Sequence, residues 1–171
     1  MLARRAASGA TVTLQVSSQR TTARSRNVIG DLADDTWPNE WLVLAAHHDT
    51  TVDSPGANDN ASGSTVVLEV ARLLVQLKRE QGVNPDRSIR FVTFGSEEQG
   101  LQGLTAYVER HYDQDPKPRP MVNLDELGTG SMKGVALQFP ELRPLVQKDL
   151  NAMGDGLRCH VIAQIDATGD Q

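Results

Sequence analysis

The amino-acid sequence predicts a three-layer α/β/α sandwich built on a mixed sheet with a parallel centre. Three observations lead there. Apolar runs of strand length alternate with amphipathic segments of helix length, the order that places helices on both faces of a largely parallel sheet. The run WLVLAA at 41–46 is apolar throughout, which suits a strand covered on both faces. The chain has 171 residues, 39% of them hydrophobic, enough for one domain with a substantial core.

The elements follow in order. TVTLQV (11–16) alternates polar and apolar residues, the period of a half-solvated strand, and SRNVIGDL (25–32) reads as a second strand; both are expected near an antiparallel edge. ADDTWPNE (33–40) is a turn in which Pro38 and Asn39 supply the bend, with Trp37 and Trp41 packing beside it. WLVLAA is the central strand. Over 62–81, Val66, Val67, Val70, Leu73, Leu74 and Leu77 recur at three- and four-residue steps, a helix with one apolar stripe closed by Gly82. SIRFVTF (88–94) is the next strand and 102–112 the next helix. QDPKPRP (114–120) is a proline-stiffened connector, and MVNL (121–124) a third buried strand. ELRPLVQKDLNAM (141–153) forms a helix ending near Gly154, where Pro144 marks the first turn or a kink. LRCHVIAQI (157–165) is the final strand. With no repeat and no low-complexity tract, 1–171 is read as a single, partial domain, with 1–20 as a loosely attached edge segment.

Charge and cysteine count narrow the function classes. A net charge of -5 and a pI near 5.3 argue against nucleic acid as a partner and raise the question of cations. No run approaches the length of a membrane span, so no membrane partner is expected. A single cysteine, Cys159, offers neither an internal disulfide nor a thiolate cluster, so any metal must be held by His, Asp and Glu. MLARRAASGA lacks the apolar core of a secretory signal; the Arg/Ser/Thr-rich start resembles a transit peptide, but the alternation at 11–16 favours a strand. The compartment is not legible from this stretch.

Three apolar strands end in charge. WLVLAA runs into His47, His48 and Asp49, RFVTFGS into Glu97 and Glu98, and MVNL into Asp125 and Glu126. Parallel strands bring such ends to one edge of the sheet, where ligands collect in α/β folds, and carboxylates crowded there repel one another unless a cation neutralises them. Side chains in extended backbone alternate, so His47 and Asp49 share a face while His48 points away. His47 is then the expected ligand, and Asp49 the partner that fixes its ring through the other nitrogen. The loop SPGANDNASG (54–63) has the glycine and proline to fold back and return Asp59 to the strand end, where its two oxygens can bridge two ions. Asn58 and Asn60 hold the loop, which lacks the EF-hand spacing that would indicate calcium. Adjacent Glu97 and Glu98 diverge, so one binds metal while the other holds a proton at the metal-bound water; strand geometry leaves open which does which. Zinc lowers the pKa of its water to about 7, and a nearby carboxylate can carry that proton to a leaving amine, the chemistry of amide hydrolysis.

AHHDTTVDSPGANDNASG, FGSEEQGLQG and NLDELG, in this order and spacing, resemble the co-catalytic zinc aminopeptidase family, which spans bacterial leucyl aminopeptidases, glutamate carboxypeptidase relatives and glutaminyl cyclases. The resemblance runs from about SRNVIGDL through NLDELG. It implies a zinc-exopeptidase-like fold and two zinc ions: His47 and Asp125 on one, Asp59 bridging, Glu98 on the second, and Glu97 as general base. Asp49, read from strand alternation as the partner of His47, is counted with Glu97 among the catalytic residues. The resemblance further implies a peptide substrate trimmed from its N-terminus by a zinc-activated hydroxide, and a secreted or periplasmic setting. The short connection from His47 to Asp59 resembles this family more than its aminoacylase-like cousins.

The departures matter as much. The family completes its second zinc with a histidine in a Ser-Asp-His stretch, whereas this chain reads DATGDQ, so either Gln171, a poor zinc ligand, stands there or the histidine lies further on. His160 is read as a core residue rather than a replacement ligand, and Asp166 and Asp170 as part of a disordered end. The family also begins with a helical segment, so the chain is expected to be a truncated, internal portion of a longer enzyme. Leu104 stands where the family often has serine, His48 is expected to be structural or pocket-lining, and His111 solvated. Two other functions remain open: a catalytically silent fold that keeps one metal for structure or partner binding, and acyl transfer like that of glutaminyl cyclases. Missing terminal elements would expose apolar sheet surface and favour self-association.

Overall fold

The computed structural model describes residues 11, 13–34, 36–114, 116, 118–128, 134–137, 140–152 and 160–163. Strands β1 (Val28–Leu32), β2 (Trp41–His47), β3 (Ser88–Phe94) and β4 (Pro118–Asn123) form one sheet in the order β1-β3-β2-β4. β2 runs parallel to both β3 and β4, while β1 closes one edge antiparallel to β3. A separate two-stranded parallel sheet pairs β5 (Gly134–Leu137) with β6 (His160–Ala163). The helices are α1 (Ala61–Gln81), α2 (Gln102–His111) and α3 (Arg143–Ala152).

Alternation along β2 and β3 divides the interior into two cores. Ala46, Phe91 and Leu32 face α1, where Val67 is fully packed and Val70, Ala71, Leu74 and Val75 complete the contact with Leu44, Ile89 and Leu124. Val43, Ala45, Val92 and Phe94 face the other way, covered by Leu104 and Tyr107 of α2. Helices therefore lie on opposite faces of a mixed sheet, the layering expected from the sequence. α1 begins at Asn60, whose side chain accepts from Gly63 N–H, and stops at Gly82, where φ of 68° breaks the helix in the left-handed conformation.

Several elements differ from expectation. The segment at 13–20 forms no strand, and Leu14 and Val16 are 82% and 74% exposed. Alternation makes a strand only where a neighbour supplies hydrogen bonds, and among the described residues β1 pairs with β3 alone. The apolar stripe of α1 is rotated: Val66 and Leu73 fall on its exposed flank, while Ala71 and Val75 join the buried side. β4 starts three residues before the expected strand, and among the described residues it lies at the edge of its sheet, with Met121 and Val122 45% and 52% exposed. An edge tolerates Pro118 and Pro120, which lack N–H donors. β5 falls in a stretch whose four-residue apolar run is too short to announce a strand. Pro144 sits in the first turn of α3, just after a 3-10 turn at Pro140–Leu142. Asp166, Asp170, Gln171 and Cys159 lie outside the described residues. Among the described residues no helix is long and apolar enough to cross a membrane.

The two-core arrangement predicts unequal costs of truncation. Val92 is fully buried, so Val92→Ala is expected to lower unfolding free energy in urea by about 2 kcal/mol. Leu68, 65% exposed, should cost less than about 0.5 kcal/mol when changed to alanine.

Candidate metal centre

The end of β2 is tied to the start of α1 and the end of β4 by a short polar loop. His47 closes β2 in a buried position, and its carbonyl accepts from Ser64 Oγ at 2.7 Å. The loop folds back through Ala61 N–H donating to Gly56 O at 2.9 Å; Gly56 has φ of 66°, and a Cβ there would press on Thr50. Asn60, 1% exposed, uses both ends of its amide: Oδ1 accepts from Gly63 N–H at 2.9 Å, and Nδ2 donates to Leu124 O at 2.9 Å. Ser62 Oγ donates to Asn58 O at 2.6 Å and accepts from Leu127 N–H at 2.9 Å, while Asn58 Oδ1 accepts from Gly128 N–H at 2.8 Å. Gly63 approaches so closely that a Cβ would overlap the Leu124 carbonyl. The segment NDNASG is thus a clamp that presents Asp59 from one side and fixes the backbone on either side of Asp125 from the other. The peptide between Asp59 and Asn60 is cis.

The acidic side chains converge on one imidazole nitrogen. His47 Nε2 lies 3.1 Å from Asp59 Oδ1, 3.4 Å from Asp125 Oδ2 and 4.0 Å from Glu97 Oε2. Donor atoms of His47, Asp59 and Glu98 all fall within 4.8 Å of one another. His48 lies apart, its Nδ1 3.1 Å from Thr93 Oγ1. His111 is not simply solvated: it stacks on Tyr107 at 4.6 Å between ring centres, because α2 brings the two to one face one turn apart. Leu104 packs into the α2-side core.

Asp49 stands at the other ring nitrogen of His47, with its backbone closer than its side chain. Its backbone carbonyl lies 3.1 Å from His47 Nδ1, whereas its carboxylate is 3.6 Å away, beyond hydrogen-bond length. That carboxylate accepts instead from Glu97 N–H at 3.0 Å and Glu98 N–H at 3.2 Å. β2 ends at His47, so alternation no longer dictates where the Asp49 side chain points.

Electrostatics show what the cluster lacks within the protein. Burial, reinforced by Asp59, pushes the Glu98 carboxyl above its ordinary range, and burial does the same to Asp125 against the pull of His47. Burial opposes the charge on His47, yet Asp125, Glu97 and Asp59 together raise its pKa. Glu98 Oε1 is buried with no hydrogen-bond partner. Oxygen and imidazole donors that repel or strain one another, with one buried oxygen unclaimed, match the chemistry of a divalent-cation site. Among the described residues no second histidine enters the cluster.

Fold and site together define a metal-site domain on an α/β sheet, with its donors at the carboxyl ends of parallel strands. The profile of Peptidase family M28 matches residues 27–167, and the chain belongs to that family. It is 38% identical over 130 residues to aminopeptidase YwaD of Bacillus subtilis, covering 75% of this chain and 27% of that protein. It is also 38% identical over 105 residues to a glutamate carboxypeptidase 2 homolog of Caenorhabditis briggsae, covering 61% of this chain and 13% of that one. Among solved structures, a zinc aminopeptidase from Bacillus subtilis matches with a TM-score of 0.62 and 31% identity over 77% of this chain and 33% of its own. The chain therefore spans between 13% and 33% of the length of these relatives.

The clamp carries its own prediction. Asn60→Ala removes a helix cap and leaves Leu124 O without its side-chain donor, and is expected to cost about 2 kcal/mol in urea unfolding.

Proposed function

We propose that this chain carries the catalytic centre for zinc-dependent hydrolysis of peptide bonds, releasing residues from the N-terminus of a peptide. The observation that carries the proposal is the convergence of Asp59, Asp125, Glu97 and Glu98 around His47 at the ends of three parallel strands. Membership of a peptidase family and likeness to proteins named aminopeptidases support it.

In this reading His47, Asp59 and Asp125 would hold one ion, and Asp59 with the unclaimed oxygen of Glu98 would offer donors to a second. Bound zinc supplies Lewis acidity, polarising the scissile carbonyl and making water acidic enough to attack near neutral pH. Glu97 accepts a proton from the attacking water and returns it to the leaving amine, for which its position 4.0 Å from His47 Nε2 is suited. The side chains of Asp59 and Asp125 are 44% and 41% exposed, which leaves the solvent side of the cluster open to a peptide. The first position has His47, Asp59 and Asp125, whereas the second has only Asp59 and Glu98 among the described residues. That asymmetry favours a second reading, in which the chain holds one metal and is catalytically silent.

Metal counting on exhaustively dialysed protein is expected to find one zinc held tightly and a second held weakly; two tightly held zincs mean that another residue completes the second position. With an aminoacyl chromogenic substrate, Glu97→Gln is expected to lower turnover by roughly 10²- to 10⁴-fold while leaving zinc content unchanged. Turnover unaffected by that change removes Glu97 from its role, and absence of turnover in the zinc-loaded parent favours the silent reading. A peptide with N-terminal glutamine, assayed for loss of ammonia, separates hydrolysis from cyclisation.

A further inference from the structure

We infer that Asn27 is a positioning residue for Glu97 and Glu98: its side-chain amide pins both ends of the turn that carries them. Asn27 Oδ1 accepts from Gly95 N–H at 3.1 Å, where β3 has just ended, and Nδ2 donates to Gly103 O at 2.8 Å, in the first turn of α2. The two contacts span 68 and 76 positions of sequence. Asn27 directly precedes β1, and among the described residues before Leu32 it alone is not exposed. The β1–β3 ladder stops at Val28 opposite Thr93, so Gly95 N–H lies past the last paired residue, and a side chain instead of a strand carbonyl accepts it.

Between those ends the turn is braced by its own backbone. Ser96 and Leu101 have φ of 57° and Gly100 of 86°, so neither strand nor helix continues through it. Glu97 O accepts from Gly100 N–H at 3.0 Å and Leu101 N–H at 2.8 Å, and Ser96 O from Gln102 N–H at 3.0 Å. A unit closed in this way moves as one piece, and its place is set where it is tied: the Glu97 and Glu98 amides to Asp49, and the two ends to Asn27. Both ends are glycine for want of room, not for a positive φ, which neither has. A Cβ on Gly103 would overlap the Gly95 carbonyl and come within 2.6 Å of Asn27 Oδ1, and one on Gly95 would overlap Ser25 Oγ and lie 2.6 Å from Arg26 O. That close approach brings both ends within reach of one short side chain, and asparagine supplies the acceptor and the donor they need. In the metal centre the consequence falls on Glu97 Oε2, 4.0 Å from His47 Nε2, and on Glu98, whose donor oxygen lies within 4.8 Å of those of His47 and Asp59. A shift of the turn carries both carboxylates with it.

Two substitutions take the bonds apart. Asn27→Asp keeps an acceptor for Gly95 N–H but turns a carboxylate oxygen on Gly103 O, whereas Asn27→Ala removes both partners. The experiment is residue-resolved amide exchange on the zinc-free full chain. With Asn27→Asp, exchange at Gly100, Leu101 and Gln102, whose amides close the turn, is expected to quicken about tenfold more than at Val43 and Ala45, which report opening of the whole sheet, while Gly95 stays protected. With Asn27→Ala, Gly95 joins the faster group. Exchange at the turn that rises no more than at Val43 and Ala45, as a group serving overall stability alone would give, overturns the inference. In the folded variants a second zinc is expected to bind roughly 10- to 100-fold more weakly, because Glu98 rides on the turn, while the zinc of His47, Asp59 and Asp125 keeps its affinity within about twofold; equal loss at both ions also overturns it. Should neither variant fold, scalar couplings across the two hydrogen bonds of the unaltered chain decide: detection between the Gly95 amide nitrogen and the Asn27 side-chain carbonyl carbon, and between Asn27 Nδ2 and the Gly103 carbonyl carbon, supports the grip, and absence of either overturns it. The roles given to Glu97 and Glu98 rest on the proposed function, so a chain that binds a single zinc removes the second position from that proposal and leaves the exchange pattern, which needs neither metal nor substrate, to decide this one.

Discussion

Mutual repulsion among carboxylates at one edge of a parallel sheet is the constraint on which the rest of this structure depends. β2 is flanked by β3 and β4 in the same direction, with Ala45 opposite Val92 on one side and Asn123 on the other. Side chains a few residues beyond those pairs must therefore meet, whatever their charge, and the loop that folds back after β2 adds Asp59 to them. Here they are Asp59, Glu97, Glu98 and Asp125 around a buried imidazole, and burial raises the carboxyls of Glu98 and Asp125 rather than relieving them. Left to themselves, such groups would splay into solvent or take up protons. A divalent cation, as proposed for this site, would be the counter-charge that lets them stay ionised and close.

The surrounding framework holds the donors in place by polar links across long sequence separations. Asn60 and Ser62 tie the start of α1 to the backbone on either side of Asp125, Ser64 ties it to His47, and Asp49 ties the end of β2 to the two glutamates. Close backbone approach matters as much as hydrogen bonding, since Gly63 leaves no room for a side chain against the Leu124 carbonyl. Each link is satisfied by backbone partners, so the fold itself carries the geometry of the site. The hydrophobic cores on the two faces then hold β2 and β3 side by side in a fixed register.

Much of this was legible in the sequence because strong local patterns were present. The uninterrupted run at Trp41–His47, the periodic helix closed by Gly82 and the strand at Ser88–Phe94 are each dictated by burial or capping over a few residues. The ligand candidates were legible for a related reason: charge placed directly after an apolar strand has little structural purpose unless something is bound there. What was not legible depends on partners distant in sequence. TVTLQV has the period of a strand but, among the described residues, no strand beside it to complete its hydrogen bonds, and MVNL is apolar yet among those residues lies at a sheet edge with Met121 and Val122 exposed. Periodicity placed the α1 stripe within one position, but which flank is covered depends on how the helix lies across β2 and β3. That the Asp49 carboxylate also accepts from the Glu97 and Glu98 amides was not legible, because strand alternation does not extend two residues past the end of β2.

The central claim is that these carboxylates are brought together by divalent cations. An anomalous-difference map collected at the zinc edge from crystals of the zinc-loaded chain tests it most directly. The account predicts a strong peak within bonding distance of His47 Nε2, Asp59 and Asp125, with a weaker second peak beside Glu98. Zinc peaks only at surface histidines, with the His47 cluster empty, would contradict it.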